Sequence, residues 1–213
     1  LQTLDTSNIL SETAINGEGP KISQEEIDEL MKKIEKIEQE DFIVVSGRVT
    51  RSMDVDIYQK ICSKAKEKGA KIIVDTTGKY LLKTLEYEPF LIKPNKKELE
   101  EIFEKEINTT QEVIMYAKKL QDLGAQNVLI SMDREGAILI TKDKKILESK
   151  TPKGKLVNSV GSGDSMVAGF LTGLITYDDY EKALKMGIAA GSASAFSPNL
   201  ATKEEILEQL LKI

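Results

Sequence analysis

Short continuous runs of apolar and β-branched residues alternate with amphipathic segments along most of the chain. Apolar residues at helical spacing between the runs, such as Ile27, Leu30 and Ile34, indicate helices. Runs that lack polar alternation are typical of strands buried in a parallel sheet. The pattern therefore predicts one α/β domain over residues 1–213, with a doubly wound, mainly parallel sheet and helices on both faces. The predicted strands are 42–47, 71–78, 90–95 and 127–132, and the predicted helices are 24–39, 57–68, one from about 97, 111–123, 164–174, 179 to about 196, and 202–212.

Two parts of the chain depart from this alternation. Residues 137–141 and 145–149 are strand-like and are separated by a short turn of lysine and aspartate, which predicts a hairpin at the edge of the sheet. Residues 1–21 are polar, with glycines near their end, which is typical of the tail of a strand followed by a loop. Because no repeat or interdomain linker interrupts the sequence, a single domain is expected.

The composition narrows the classes of function. The formal net charge is -5, and the lysines are dispersed among glutamates, so no nucleic-acid partner is expected. Histidine is absent, which excludes Ser/His/Asp and Cys/His catalytic sites and zinc sites built on imidazole. The single cysteine, Cys62, can form no intramolecular disulfide and indicates a reducing compartment. Since no apolar run has membrane-spanning length and no signal-peptide pattern is found, we expect a cytoplasmic protein without a membrane partner.

Polar residues follow the predicted strands. In open α/β sheets, ligands bind outside the carboxyl ends of the strands, so these residues are the first candidates for a site. The candidates at these ends are Ser46, Gly47, Asp75, Thr76, Lys93, Asn95, Ser131 and the turn at Gly161.

The segment 158–171, NSVGSGDSMVAGFL, carries the strongest chemical signal. Gly161 and Gly163 can adopt a positive φ, so that backbone N–H groups approach an anion closely. The helix expected from Asp164 adds the positive end of its dipole to such a site. Since Asp164 would repel a bound phosphate, it is either the helix N-cap or a base that takes a proton from the group attacking that phosphate. The segment therefore indicates phosphoryl transfer.

Small residues accompany this turn. Ala168, Gly169 and Gly173 would let the helix lie close to the sheet or to a nucleotide. Ser192 and Ser194 lie in another segment of small residues, where they either pack against neighbouring helices or border an adenine pocket.

Asn95 and Glu98 are three residues apart at the beginning of a predicted helix, so both side chains can face one side. Their oxygens could hold a hydrated Mg²⁺, which prefers hard oxygen ligands and keeps several waters. The alternative is structural, with Asn95 as the N-cap and Glu98 as a favourable charge at the helix N-terminus.

These motifs together resemble the ribokinase-like, PfkB-type carbohydrate kinases. The segment 158–171 matches the C-terminal signature of that family, and Asn95-x-x-Glu98 matches its second motif. The likeness extends through SGRV, VDTTG, LIKPN, ISMDREGA and IAAGSASAF, and so covers essentially the whole chain. NGEGPKIS, SGDSMVAGF and GSASAFS look most like the members that act on ketohexose phosphates. The resemblance implies a ribokinase-like fold and an ATP-dependent conversion of fructose 1-phosphate to fructose 1,6-bisphosphate, with tagatose 6-phosphate and fructose 6-phosphate as alternative substrates.

The resemblance also implies catalytic and metal-binding roles. Asp164 would take the proton from the C6 hydroxyl of the sugar phosphate, and the N–H groups of Gly161, Ser162 and Gly163 would form an anion hole. Glu98 and Asn95 would hold Mg²⁺ through water.

Further residues match the family's binding positions. Ser46 and Gly47, together with Asp164, would contact the sugar phosphate. A monovalent cation such as K⁺ would lie in a loop matched by Asn158, Val160, Ser194 and Ser197. The positions matching the ATP pocket are Lys93, Asn95, Ser131, Asp133, Gly136, Ile188 and Ser192.

The sequence departs from the family pattern at three places. The region with the GG-rich motif, most sugar contacts and the lid that pairs two copies in a homodimer is expected upstream of Leu1. Arg48 and Thr50 replace the usual SGS-x-P pattern, and Asp133 stands where a glycine is usual. The chain is therefore expected to be the nucleotide-binding and catalytic portion, and a nucleotide-binding module without catalysis is the alternative.

Overall fold

The computed structural model describes residues 2–4, 12–14, 17, 19–50 and 52–213. The chain forms two compact units. We call Pro20–Glu148 the sheet unit, and Leu1–Gly19 with Ser149–Ile213 the helical unit. A single domain over residues 1–213 stays a prediction.

The beginning of the helical unit contains a small sheet of its own. β1 (Gln2–Leu4) and β2 (Glu12–Ala14) pair antiparallel, with Thr3 opposite Thr13. The prediction of a strand tail and a loop over residues 1–21 lies largely outside the described residues.

The main sheet is mostly parallel. β3 (Phe42–Ser46), β4 (Lys71–Asp75), β5 (Leu91–Ile92), β6 (Asn127–Ser131), β7 (Ala137–Ile140) and β8 (Ile146–Ser149) lie side by side in chain order. Strands β3 to β6 run parallel, whereas β7 runs antiparallel to β6, with Val128 opposite Ile140. The predicted α/β class, with a mainly parallel sheet and a hairpin at its edge, is confirmed.

The helices of the sheet unit begin at N-caps that the sequence marks. Ser23 forms a capping box with Glu26, and Thr109 forms one with Glu112, so backbone N–H groups at each helix start have acceptors. The helices are α1 (Gln24–Ile34), α2 (Ile57–Glu67), α3 (Gly78–Thr84), α4 (Lys96–Phe103) and α5 (Thr110–Asp122).

Two predictions for these helices were wrong. The helix predicted over 24–39 ends at Ile34, and the chain continues in turns that still bury Ile37. No helix was predicted between the strands over 71–78 and 90–95, where the structure has helix α3, which begins after Thr77 and buries Leu81 and Thr84. Its signal was the helical spacing of these residues, which the glycine at the helix start concealed.

The core of the sheet unit lies along the central strands. Ile73, Leu91, Leu129 and Ile138 are completely buried. Cys62 is equally inaccessible on α2, and burial raises the pKa of its thiol to about 12. The cysteine is therefore a core residue, and its thiol is held in the unreactive neutral form.

The helical unit ends in the three predicted helices, α6 (Ser162–Tyr177), α7 (Tyr180–Phe196) and α8 (Lys203–Leu210). Helix α6 begins two residues earlier than predicted and extends to Tyr177 instead of residue 174. Among the described residues, no helix is long and apolar enough to cross a membrane.

Helices α6 and α7 pack at close range because each presents glycines to the other. A Cβ atom on Gly169 would lie 2.6 Å from both the Ala190 Cβ and the Met186 carbonyl oxygen. From the other side, a Cβ on Gly191 would lie 3.0 Å from the carbonyl oxygen of Ser162, in the first turn of α6. The predicted close approach of Gly169 and Gly173 is therefore made to α7.

Ala168 does not share this contact. Its side chain is exposed and does not pack against α7, so its predicted place beside a nucleotide stays a prediction. The glycine at position 169 is the residue that faces α7.

We expect Gly169→Ala to lower stability although alanine favours helices by about 1 kcal/mol over glycine. The added methyl must displace backbone atoms of α7, so the free energy of unfolding should fall by about 1–3 kcal/mol. Urea unfolding measures the change. The control is Thr172→Ala, an exposed position on α6, for which we expect a change within about 0.5 kcal/mol. An equal effect of both substitutions would contradict the packing argument.

Candidate active site

The glycine turn before α6 has the backbone geometry of an anion site. Gly161 is the N-cap of α6 and has φ 79, which only glycine adopts at little cost. Gly163 is the second residue of the helix and does not have a positive φ, so that part of the prediction was wrong.

Backbone N–H groups at this turn lack partners in the described part of the chain. No acceptor is found there for the N–H groups of Gly161, Gly163 and Asp164. The N–H of Ser162, which belongs to the predicted anion hole, donates to the Ser159 carbonyl oxygen at 3.2 Å. Three donors therefore converge on the helix N-terminus, where the dipole favours a negative charge.

Asp164 is the third residue of α6, so it is not the N-cap that one reading of the sequence expected. Its side chain is exposed, and within the described ranges its carboxylate forms no hydrogen bond or ion pair. An exposed carboxylate at the third helical position can accept a proton from a group brought to the turn.

The residues matched to a cation loop surround the same turn. The Asn158 side chain donates to the Pro198 carbonyl oxygen at 3.1 Å and accepts the N–H of Val160 at 3.1 Å. The Ser194 hydroxyl lies 2.8 Å from that of Ser165, and the Ser197 hydroxyl donates to Glu205 at 2.9 Å. The side chains are thus engaged in protein hydrogen bonds, which leaves backbone carbonyls as the groups for a cation.

Two other predicted nucleotide residues lie on α7. Ile188 and Ser192 are 1% and 7% exposed. Because these side chains are buried, only their few exposed atoms can contact a ligand of the helical unit.

In the sheet unit, the candidates at the ends of β3 and β4 are tied together. The Gly47 N–H donates to the Asp75 carbonyl oxygen at 3.1 Å, and the Thr76 hydroxyl donates to the Gly47 carbonyl oxygen at 2.8 Å. Ser46 has an exposed side chain, and its carbonyl oxygen accepts the Tyr58 hydroxyl at 2.9 Å. These bonds fix the backbone that the sugar-phosphate prediction uses.

Lys93, directly after β5, is almost fully buried and pairs with Asp75 at the end of the neighbouring strand β4, with 3.2 Å between Nζ and Oδ1. Such a pair must be well satisfied, since an unpaired buried charge is costly. The strand-end pattern identifies Asp75 and Thr76 as site candidates without assigning them a role. In the structure, their hydrogen bonds and the ion pair with Lys93 link the ends of neighbouring strands.

Asn95 and Glu98 form a capping box at the start of α4. The Glu98 N–H donates to Asn95 Oδ1 at 2.9 Å, and the Asn95 N–H donates to Glu98 Oε2 at 2.8 Å. The structural alternative for Asn95 and Glu98, an N-cap and an acidic residue in the first turn of the helix, is thus present. Asn95 also lies next to Ser131 through a parallel β-bridge, so the ends of β5 and β6 meet here.

Burial raises the pKa of the Glu98 carboxyl, and the nearby carboxylates of Asp75 and Glu101 raise it further, against the Asn95 N–H and Lys93. A nearby cation would relieve this penalty. Glu98 Oε1 accepts no hydrogen bond from the described residues, so a metal-bound water fits there. Groups of three or more His, Cys, Asp or Glu side chains suited to a metal do not occur in the described ranges, so any metal here depends on water and a bound phosphate.

The loop after β6 explains the departure at Asp133. Asp133 has φ 50, the left-handed conformation that glycine prefers and that aspartate tolerates. Met132 N–H donates to the Gly136 carbonyl oxygen at 2.9 Å, which closes the loop. Aspartate therefore occupies a left-handed position that a glycine would occupy without strain.

We expect Glu98→Gln to change how stability depends on pH. Because the folded pKa of Glu98 is raised, its protonated form stabilises the fold, and this contribution is lost as pH rises from the ordinary glutamate pKa through the raised one. Glutamine keeps an acceptor for the Asn95 N–H without the buried charge. The stability of the variant relative to the parent should therefore increase with pH over that window and then level off.

Urea unfolding of the full-length protein from about pH 4 to about pH 8 measures this difference. Glu106→Gln, at an exposed position after α4 that does not contribute to the pKa of Glu98, is the matched control. A difference between Glu98→Gln and the parent that does not vary with pH would contradict the assignment.

Comparison with known proteins places these motifs in one family. The family model described as pfkB family carbohydrate kinase matches residues 3–207. The 1-phosphofructokinase of Bacillus subtilis (strain 168) is 43% identical over 200 residues, which are 94% of this chain and 65% of that protein. The D-tagatose-1-phosphate kinase of Bacillus licheniformis is 37% identical over 194 residues, which are 91% of this chain and 64% of that protein.

A solved structure agrees with this placement. Phosphofructokinase-2 from Escherichia coli in complex with potassium has a TM-score of 0.84 and 25% identity, covering 94% of this chain and 65% of that one. The chain thus spans somewhat less than two thirds of the length of these proteins. From the family match over nearly all of its residues and the identity to curated members, the chain belongs to the pfkB family of carbohydrate kinases.

Proposed function

We propose that the full-length protein is an ATP-dependent kinase of a ketohexose phosphate, and that its substrate is fructose 1-phosphate. The observation that carries this proposal is the N-terminus of α6, where three N–H groups without described partners lie beside the exposed carboxylate of Asp164. The donors suit the negative charge of a phosphoryl group, and the carboxylate suits the proton of an attacking hydroxyl.

The reaction is a transfer of the γ-phosphoryl group of ATP to the C6 hydroxyl of the sugar. A bond forms between that oxygen and the γ-phosphorus, the bond to the bridging oxygen of ADP breaks, and the hydroxyl proton goes to Asp164. The N–H groups of Gly161 and Gly163, which belong to the predicted anion hole, stabilise the charge on the transferred group, and the N–H of Asp164 adds a donor. Positioning and charge neutralisation supply most of the catalysis in such a transfer.

The residues of the sheet unit have proposed roles of their own. Glu98 and Asn95 would hold Mg²⁺ through water, and the ion would supply positive charge for the phosphates of ATP. Asn95 and Ser131, adjacent at the strand ends, face the nucleotide, while Lys93 adds positive charge at the same edge. Ser46 and Gly47 take part in sugar binding.

The loop around Asn158 is proposed to hold a monovalent cation through backbone carbonyls. Support comes from the potassium complex of the related E. coli phosphofructokinase-2. The homodimer expected from the family's lid stays a prediction.

Fructose 1-phosphate is favoured among the substrates because the relative with 43% identity is named 1-phosphofructokinase. The relative named D-tagatose-1-phosphate kinase also acts on a ketohexose 1-phosphate. Tagatose 6-phosphate and fructose 6-phosphate are the alternatives, and a nucleotide-binding module without catalysis is the alternative from another class.

We expect Asp164→Asn to lower kcat by about 10²–10⁴ because the amide cannot take the hydroxyl proton. The KM for ATP should change little, since asparagine leaves the N–H groups of the turn in place. ADP release by the full-length protein with fructose 1-phosphate measures both constants. Asp178→Asn is the matched control, because Asp178 is an exposed aspartate at the other end of α6. Unchanged turnover of Asp164→Asn would contradict the role of Asp164.

The same assay distinguishes the alternatives. A higher kcat/KM for tagatose 6-phosphate or fructose 6-phosphate than for fructose 1-phosphate would overturn the substrate assignment and leave the kinase proposal intact. Binding of ATP without phosphorylation of any of these sugars would favour the non-catalytic module.

A further inference from the structure

The loop from Pro198 to Ala201, between α7 and α8, contacts the glycine turn at two points and is linked to the first turn of α6 at a third point through Ser194 of α7. Its first contact is the hydrogen bond from the Asn158 side chain to the Pro198 carbonyl oxygen, 3.1 Å long. Its second is Leu200, whose Cδ2 lies 2.6 Å from the position that a Cβ on Gly161 would occupy. Both contacts reach the side of the turn that precedes α6.

The third contact reaches the helical side of the turn through two hydroxyl groups. Ser165 Oγ lies 2.8 Å from Ser194 Oγ, and Ser194 Oγ accepts the Ala201 N–H at 3.1 Å. Ser194 is only 2% exposed, so its hydroxyl depends on these protein partners. The pair joins the residue after Asp164 to the end of the loop.

Leu200 is 65% exposed, which is unusual for a leucine whose neighbours are held by hydrogen bonds on both sides. Core burial does not account for its position. It lies against the one residue of the turn that has a positive φ, where any side chain on residue 161 would collide with it.

We propose that the loop 198–201 braces the glycine turn, and that Ser165 is the positioning residue through which the brace holds Asp164. This proposal rests on the proposed kinase function. The Asp164 carboxylate has no hydrogen bond within the described residues, so its direction is set by the backbone of the first helical turn. Ser165 is the next residue of that turn, and its hydroxyl is the side-chain group that ties the turn to α7 and the loop.

The brace acts on orientation and leaves the anion donors unchanged. Removal of the Ser165 hydroxyl should therefore lower kcat with little effect on KM. A small displacement of a catalytic group is enough for a loss of this kind.

The experiment uses the full-length protein with ATP and fructose 1-phosphate. Ser165→Ala is expected to lower kcat about tenfold and to leave both KM values within about twofold. Ser165→Thr, which keeps the hydroxyl, should restore most of the activity. Ser194→Ala should reproduce the loss, and the double variant should be no slower than either single variant because both remove the same link.

Thr172→Val is the matched control. It removes a hydroxyl of α6 that, among the described residues, bonds only to the Ala168 carbonyl oxygen of its own helix, and kcat should not change. Thermal melts establish that each variant is folded, and Ser194→Ala provides the same test if Ser165→Ala does not fold. Wild-type kcat in Ser165→Ala, a loss confined to KM, or additive losses in the double variant would each overturn the proposal.

A readout without catalysis separates this proposal from the kinase assignment. In Ser194→Ala, the Ala201 amide loses its acceptor, so its hydrogen exchange should become faster while the amides of α8 stay protected. Unchanged exchange at Ala201 would overturn the brace whatever the enzyme's activity. Absence of activity in the parent protein would instead contradict the proposed function.

Discussion

The close packing of α6 on α7 is the constraint on which the helical unit depends. Glycines on both helices remove the side chains that would keep them apart, and the carbonyl oxygen of Ser162 lies against Gly191 as a result. Contact between backbone atoms therefore fixes the first turn of α6, whereas contact through long side chains would let this turn move. An anion site made of N–H groups needs this rigidity, because its donors are useful only when they are held in place before the ligand arrives.

In the sheet unit, hydrogen bonds and the buried ion pair between Asp75 and Lys93 hold the strand ends in place. Strand ends are linked in a row, from Gly47 to Asp75, from Asp75 to Lys93, and from Asn95 to Ser131. Glu98 accepts the Asn95 N–H in the capping box of α4, and burial raises the pKa of its carboxyl. A carboxylate that is costly to ionise and has an oxygen without a described donor is suited to a hydrated cation, so the capping and metal-binding interpretations of this residue are compatible.

Much of the fold follows from local sequence. Apolar runs predict the parallel strands, and capping residues such as Thr109 mark helix starts. Helix α3 was not predicted because its first residue, Gly78, is typical of a turn.

The site was less accessible to prediction. Its glycine turn was evident, but the state of individual N–H groups depends on whether Gly161 or Asp164 is the N-cap, a difference of three residues that composition does not fix. The contacts of the loop 198–201 could not be predicted from local sequence. Asn158 and Pro198 are 40 residues apart, and they come together through the packing of α6 on α7.

We propose that the N-terminus of α6 receives the phosphates of ATP, and the most direct measurement of this role is an NMR titration of the full-length protein labelled with ¹⁵N-glycine. Addition of ATP and Mg²⁺ should shift the amide resonances of Gly161 and Gly163, because their N–H groups gain acceptors. The amide of Gly173, buried against α7, should stay in place. Saturable ATP binding that leaves the resonances of Gly161 and Gly163 unmoved would contradict this role of the α6 N-terminus.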